Sequence, residues 1–140
     1  MSALPEDFAL PTIDAFNTPW FTSGTLAVQQ CAVCSTLQHP PEEICHACGS
    51  MTFGHRVLAP RGTIHSYTVV HHATSNALAA AVPYVVVLVS IDEEPTVRVV
   101  GNLVDAPPSA ARIGLPVDAV WDERRSDDGT VILLPQWRPA

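Results

Sequence analysis

Four cysteines fall within 18 residues, as Cys31-x-x-Cys34 and Cys45-x-x-Cys48, with ten residues between the pairs. Two knuckles at this separation have the spacing of a tetrahedral thiolate metal site. A CxxC turn brings two sulfurs about 3.5–4 Å apart, which suits one ion with metal–sulfur bonds of about 2.3 Å. A short hairpin can carry the second pair round to complete the tetrahedron. Gly49 follows the second knuckle, where a positive φ is expected, and Ser35 takes that position after the first. The insert 35–41 reads as a strand running into a turn. Four protein ligands leave no open position for water, so the expected ion is a structural staple, not a catalyst. Zinc is the expected metal, and iron, as in rubredoxin, suits the same four thiolates. Two disulfides or a redox-active CxxC fit less well, because no export signal is visible and the two motifs sit together. His39 and His46 lie beside the cysteines and read as exposed loop residues, since the thiolates already fill the site.

The remaining chemistry-bearing residues are histidines. His65, His71 and His72 cluster on one expected strand, where alternation puts His65 and His71 on a face with Tyr67. Ser66 is a sequence neighbour of His65 but points to the opposite face, so the two form no dyad. Nucleophilic catalysis needs a Ser or Cys beside a His and an orienting acid. The cysteines are committed to metal, and no GxSxG or HExxH occurs.

Composition narrows the function classes. The 140 residues are 47% hydrophobic and 15% charged, enough apolar material for one domain or two small ones and too much for a disordered chain. Fourteen acidic against seven basic residues give a net charge of -7, and every basic residue is Arg. Four thiolates around a divalent ion add -2, for about -9 when loaded. Such a balance opposes binding to nucleic acid or to an anionic membrane surface, both of which need a cationic footprint. The longest nearly apolar run, 77–89, holds Pro83 and falls short of the roughly 20 residues of a membrane-spanning helix. The segment 1–7 has no positive region with an apolar stretch behind it, so no signal peptide is expected and the cytoplasm is the expected location.

These residues must be positioned by a mainly β chain, as 13 prolines also imply. Three segments stand out. Residues 1–24 are aromatic-rich; Pro19 limits them to one or two short helices, and Ile13, Phe16, Trp20 and Phe21 fall near helical spacing. That stripe serves either the chain's own core or a partner, with Phe16, Trp20 and Phe21 as the partner-binding candidates. Residues 25–59 form the ribbon, with strands entering the first knuckle at 25–30 and leaving the second at 51–58. Residues 60–140 read as five strands, at 62–72, 83–91, 96–104, 117–122 and 130–137. The second, with Val85-Val86-Val87-Leu88-Val89, is apolar on both faces and is expected to be central and buried. Asp127-Asp128-Gly129 marks a hairpin. Five strands with one longer connection between the third and fourth suit a small closed barrel of the OB type.

A four-cysteine ribbon leading directly into an OB barrel resembles the DUF35 proteins, and the resemblance covers nearly the whole chain. It is carried by Trp20-Phe21-Thr22-Ser23-Gly24, Leu26-Ala27-Val28-Gln29-Gln30-Cys31, His39-Pro40-Pro41 and Cys45-His46-Ala47-Cys48-Gly49. It continues through Arg61-Gly62-Thr63-Ile64-His65-Ser66-Tyr67, Val82-Pro83-Tyr84, Gly101-Asn102-Leu103 and Ile113-Gly114-Leu115-Pro116. The resemblance implies an N-terminal short helix, a rubredoxin-like zinc ribbon held by Cys31, Cys34, Cys45 and Cys48, and a C-terminal five-stranded OB-fold barrel. It further implies a non-catalytic accessory subunit of a thiolase-like acyl-CoA enzyme, either a thiolase or a steroid side-chain retro-aldolase, or a partner of a MaoC-like hydratase. The catalytic residues then lie in the partner, and acyl-CoA is a ligand the two could share. A CoA phosphate would need local Arg, which points to Arg56 and Arg61 at the ribbon–barrel junction, with His65 and Tyr67 beside them. Arg98, Arg124, Arg125 and Arg138 read as solvated charges or rim contacts. The alternatives are a stand-alone acyl-CoA-binding enzyme using the barrel histidines, a rubredoxin-like electron carrier and a nucleic-acid-binding OB protein.

Overall fold

The computed structural model describes residues 4–140. Its one α-helix, α1 (Thr18–Thr22), is short for local reasons. Proline is tolerated in the first turn, where Pro19 stands, but not deeper in a helix. Before it, Asp14 and Asn17 spend their side chains on the backbone. Asp14 Oδ1 accepts from the N–H groups of Phe16 and Asn17 at 2.8 Å each, and Asn17 Oδ1 accepts from Asp14 N–H at 2.8 Å. Such local bonds compete with helix, so the helical spacing of Ile13 and Phe16 does not become a longer helix.

The ribbon is a three-stranded antiparallel sheet, order β2-β1-β3, made by β1 (Leu26–Cys31), β2 (Leu37–Gln38) and β3 (Phe53–Leu58). The second sheet has order β6-β5-β4-β7-β8, from β4 (Arg61–Val70), β5 (Tyr84–Ile91), β6 (Arg98–Asn102), β7 (Pro116–Arg125) and β8 (Val131–Pro139). A parallel bridge joins Leu103 to Trp137, and Val104 N–H donates to the Trp137 carbonyl at 2.8 Å. That contact brings the third barrel strand against the fifth and gives the OB-fold barrel. The first barrel strand stops at Val70, so His71 and His72 lie in the following loop and not on the strand, as alternation had placed them. The register also shifts between Ile64 and Ser66, which breaks the simple alternation around His65.

One apolar core runs through both sheets. It joins Trp20 and the ribbon residues Leu26, Val28 and Leu58 to Ile64, Val87, Val89, Ile91, Val99, Val117 and Trp137 of the barrel. Trp137 is fully buried. It packs so closely on β6 that a Cβ at Gly101 would lie 2.9 Å from its Cδ1, so only glycine fits there. Gly62 is held more tightly still, with Ser90 O 2.2 Å from a Cβ position where β4 crosses β5.

Two expectations need correction. β5 is central, but only Val85, Val87, Val89 and Ile91 are buried; Val86 and Leu88 border an open cleft instead of a second core layer. Arg124 is not a solvated charge. It is 9% exposed, its guanidinium meets both carboxylate oxygens of buried Asp122 at 3.0 and 3.3 Å, and it donates to the carbonyls of Pro5 (2.7 Å) and Leu4 (3.1 Å). The pair therefore pins the N-terminal arm to β7.

Breaking a buried pair by removing one partner costs about 3–5 kcal/mol, because the other charge is left stranded. Arg124→Met should lower the urea-unfolding free energy on that scale, and Asp122→Leu with Arg124→Met should recover much of the loss. A double variant no more stable than the single one would contradict the pairing.

Candidate functional site

The two knuckles are built alike. Ser35 N–H donates to the Cys31 carbonyl at 3.0 Å and Gly49 N–H to the Cys45 carbonyl at 2.9 Å. Cys31 N–H donates to Thr36 O at 2.9 Å and Cys45 N–H to Ser50 O at 2.8 Å. Ser35 and Gly49 adopt φ of 64° and 78°, the turn-closing positive values expected at these two positions. The result gathers all four sulfurs within 4.8 Å of one another, with Cys31–Cys48 and Cys34–Cys45 both at 3.6 Å. An ion with four sulfurs at about 2.3 Å needs them roughly 3.8 Å apart, so the donor set fits a tetrahedral metal.

Backbone dipoles favour thiolate at the first knuckle. The N–H groups of Cys34 and Val33 point at Cys31 Sγ, from 3.5 and 3.4 Å, and pull that thiol down to about 6, with Cys34 N–H the larger influence. The Thr36 hydroxyl, 3.1 Å from Cys34 Sγ, lowers Cys34 as well. Thiolates are the ligating form, so the first knuckle is biased toward metal, while the Cys48 thiol, held against the Cys31 sulfur, is pushed up to about 12 and must give up its proton on binding.

A buried amide relay fixes the second knuckle to the first strand. Gln38 Nε2 donates to Gln29 Oε1 at 2.8 Å, and Gln29 Nε2 donates to Glu42 O at 2.7 Å. Gln38 Oε1 receives His46 N–H at 3.1 Å and meets His46 Nδ1 at 2.8 Å. Neither His46 nor His39 joins the sulfur cluster. His39 is not an exposed loop residue, however. Its ring packs against Trp20, centroids 4.2 Å apart with the planes tilted by 42°, and burial lowers its pKa to about 4, so it is neutral at pH 7.

Trp20 is 5% exposed within the chain's own core, the first of the two uses expected of the aromatic stripe, while Phe16 and Phe21 stay half-buried. Arg56 lies exposed on β3 and is paired to Glu94 at 3.4 Å. Arg61 opens β4, with its carbonyl accepting from Asp92 N–H at 3.1 Å. Both therefore stand beside the acidic 92–94 turn. His65 and Tyr67 are exposed further along β4, which pairs with β7 only over Arg61–Thr63. His65, His71 and His72 have no side-chain partner among the described residues, so no acid–base pair is assembled there.

Sequence reasoning did not anticipate a cleft of about 840 Å³ between the N-terminal arm, the loop 39–41 and the outer face of β5 and β6. Trp20, Val86, Leu88 and Val100 are among its apolar walls. The continuous apolar run 85–89 was its one signal.

Comparison with known proteins agrees with this architecture. The family model described as ChsH2, C-terminal OB-fold domain, matches residues 55–122. A DUF35 domain-containing scaffold protein of Methanocaldococcus jannaschii is 32% identical over 113 residues, 79% of this chain and 78% of that protein. The chain is a member of the DUF35 family. A solved chain of an Ltp2-ChsH2(DUF35) aldolase matches this DUF35 protein with a TM-score of 0.76 and 38% identity, over 93% of this chain and 98% of that one. Two longer relatives are also similar. A probable enoyl-CoA hydratase alpha subunit of Thermomonospora curvata is 38% identical over 133 residues, 93% of this chain. A 3-oxo-4,17-pregnadiene-20-carboxyl-CoA hydratase alpha subunit of Mycobacterium tuberculosis is 36% identical over 128 residues, 86% of this chain. The DUF35 chain spans about two-fifths of the length of each, 39% and 40%.

Two outcomes are expected of the DUF35 chain. Cobalt(II) added to the reduced, metal-free protein should produce the intense visible absorption of a tetrahedral tetrathiolate, saturating at one ion per chain, and Cys45→Ser should weaken both the band and the affinity. Binding without a tetrahedral spectrum would contradict the geometry. The second concerns His39. Its folded pKa of about 4 lies below the 6.5 of a free imidazole, so between those values the unfolded chain binds the extra proton. Stability should therefore fall by up to about 3 kcal/mol as pH drops from 6.5 to 4. His39→Gln should remove that part of the slope, measured by urea unfolding at stepped pH; the slope the variant keeps belongs to the other titrating groups.

Proposed function

We propose that this DUF35 chain is a non-catalytic accessory subunit of an acyl-CoA enzyme with a thiolase-like fold, a retro-aldolase or a thiolase, working in the cytoplasm. The observation that carries the reading is the likeness to the ChsH2(DUF35) chain of an aldolase, at 38% identity over 98% of that chain. The ion in the four-thiolate cluster is zinc in this reading. A closed thiolate tetrahedron supplies folding energy and holds the ribbon tip rigid, with no open position for a reacting group.

Segments 1–24, 25–59 and 60–140 then act as one docking unit, because the core that crosses them makes the ribbon's position depend on the barrel. Phe16 and Phe21, half-buried on the N-terminal arm, supply apolar contacts to the partner. The exposed half of β4 offers His65 and Tyr67, and the junction offers Arg61 and Arg56, as the side chains available to a CoA ester held between the two proteins. Arg56 would have to leave Glu94 to meet a phosphate. A second reading has a MaoC-like hydratase as the partner. The names of the two hydratase alpha subunits favour it, since each is more than twice as long as this chain.

The test is co-expression of the full chain with a thiolase-fold acyl-CoA enzyme, or in a second experiment with a MaoC-like hydratase, from the same organism, followed by size-exclusion chromatography and metal analysis. A stoichiometric complex carrying one zinc per chain is expected, with acyl-CoA cleavage by the complex and none by the isolated chain. Turnover by the isolated chain, or a monomer that ignores both partners, would contradict the reading.

A further inference from the structure

The cleft beside the ribbon–barrel junction has a chemical character of its own. Its volume of about 840 Å³ lies within the roughly 300–1,000 Å³ typical of small-molecule sites. Its floor is the outer face of β5, where Val86 and Leu88 are half-buried, and Val100 on β6 is 62% exposed beside them. An apolar β-sheet face left uncovered in this way has hydration to lose, so it favours an apolar ligand.

The polar groups of the lining divide into two kinds. The amides are already occupied within the chain. Asn17 Nδ2 donates to Thr12 O at 3.0 Å, Asn102 Nδ2 donates to Val85 O at 3.0 Å, and Gln136 Oε1 accepts from Asn102 N–H at 2.6 Å. Arg98 is different. It is the one charged residue among the described lining residues, it is exposed, and its side chain has no ion-pair or hydrogen-bond partner among the described residues. No Asp or Glu is among the described lining residues, in a chain with twice as many acidic as basic residues. His39, neutral at pH 7, adds no charge.

We infer that this cleft binds an amphipathic anion, an apolar chain or ring system on Val86, Leu88 and Val100 with a single anionic head on Arg98. A carboxylate suits the planar guanidinium, which can accept it through two parallel N–H donors. The site lies apart from the sulfur cluster.

The test uses the full-length, metal-loaded chain without a partner and three probes of equal chain length kept below their micelle-forming concentrations: decanoate, 1-decanol and decyltrimethylammonium. Binding is followed by calorimetry. Decanoate should bind saturably at one per chain, about tenfold more tightly than decanol, with the cation weakest. Arg98→Gln should bring decanoate to the level of decanol, and Arg98→Glu should reverse the order of decanoate and the cation. Val100→Trp, at a solvent-exposed position, should weaken all three at least tenfold while leaving the urea midpoint unchanged. If decanoate fails to saturate up to millimolar concentrations, binds equally well to Val100→Trp, or keeps its preference in both Arg98 variants, the inference is wrong. It is equally overturned if Val100→Trp abolishes co-purification with a partner while the parent chain binds no decanoate, since the cleft would then be a polypeptide dock. The decanoate results alone do not bear on whether the chain assembles with an acyl-CoA enzyme.

Discussion

The ribbon cannot hold itself, and most of the architecture follows from that. Its three strands bury Leu26, Val28 and Leu58, too few apolar side chains to repay the ordering of some 30 residues. It is therefore tied at both ends by different forces. At the tip, four sulfurs gathered within 4.8 Å await an ion whose binding free energy becomes folding free energy. At the base, the same three side chains enter the barrel core beside Trp20 and Ile64. The amide relay through Gln29 and Gln38 links the two ends by fixing the second knuckle to β1, which runs from the base to the first knuckle.

This double attachment sets the geometry of the junction. The turn that carries the chain between the knuckles brings His39 against the ring of Trp20, so the ribbon meets the N-terminal helix at one tilted ring pair, and Trp20 in turn enters the core shared with the barrel. Arg124 and Asp122 fix the arm from the other side through the Leu4 and Pro5 carbonyls. Between these fixed points the outer face of β5 is walled in but not covered.

Much of this was legible in the residues. The cysteine spacing identified the four sulfurs that the fold gathers, and the positions of Ser35 and Gly49 identified the positive-φ turns, because both depend on local geometry alone. The five barrel strands were readable from β-branched runs and turn residues, which are likewise local signals. Features that depend on distant neighbours were not. Nothing near His39 in sequence announces Trp20, 19 positions away, and nothing near Arg124 announces the carbonyls of Leu4 and Pro5. Val86 and Leu88 were visible as apolar, but an apolar face reads the same whether a core or a cleft lies over it. The alternation that grouped His65 with His71 failed because a register shift follows Ile64 and the strand stops at Val70.

The central claim is that metal holds the ribbon tip while the shared core holds the rest. Amide hydrogen exchange on the zinc-loaded chain, before and after a chelator strips the ion, tests it most directly. The account predicts that residues 31–50 lose protection, including the knuckle amides of Cys31, Ser35, Cys45 and Gly49, while β5, β7 and β8 remain protected. Uniform loss along the whole chain, or no loss at the knuckles, would contradict it.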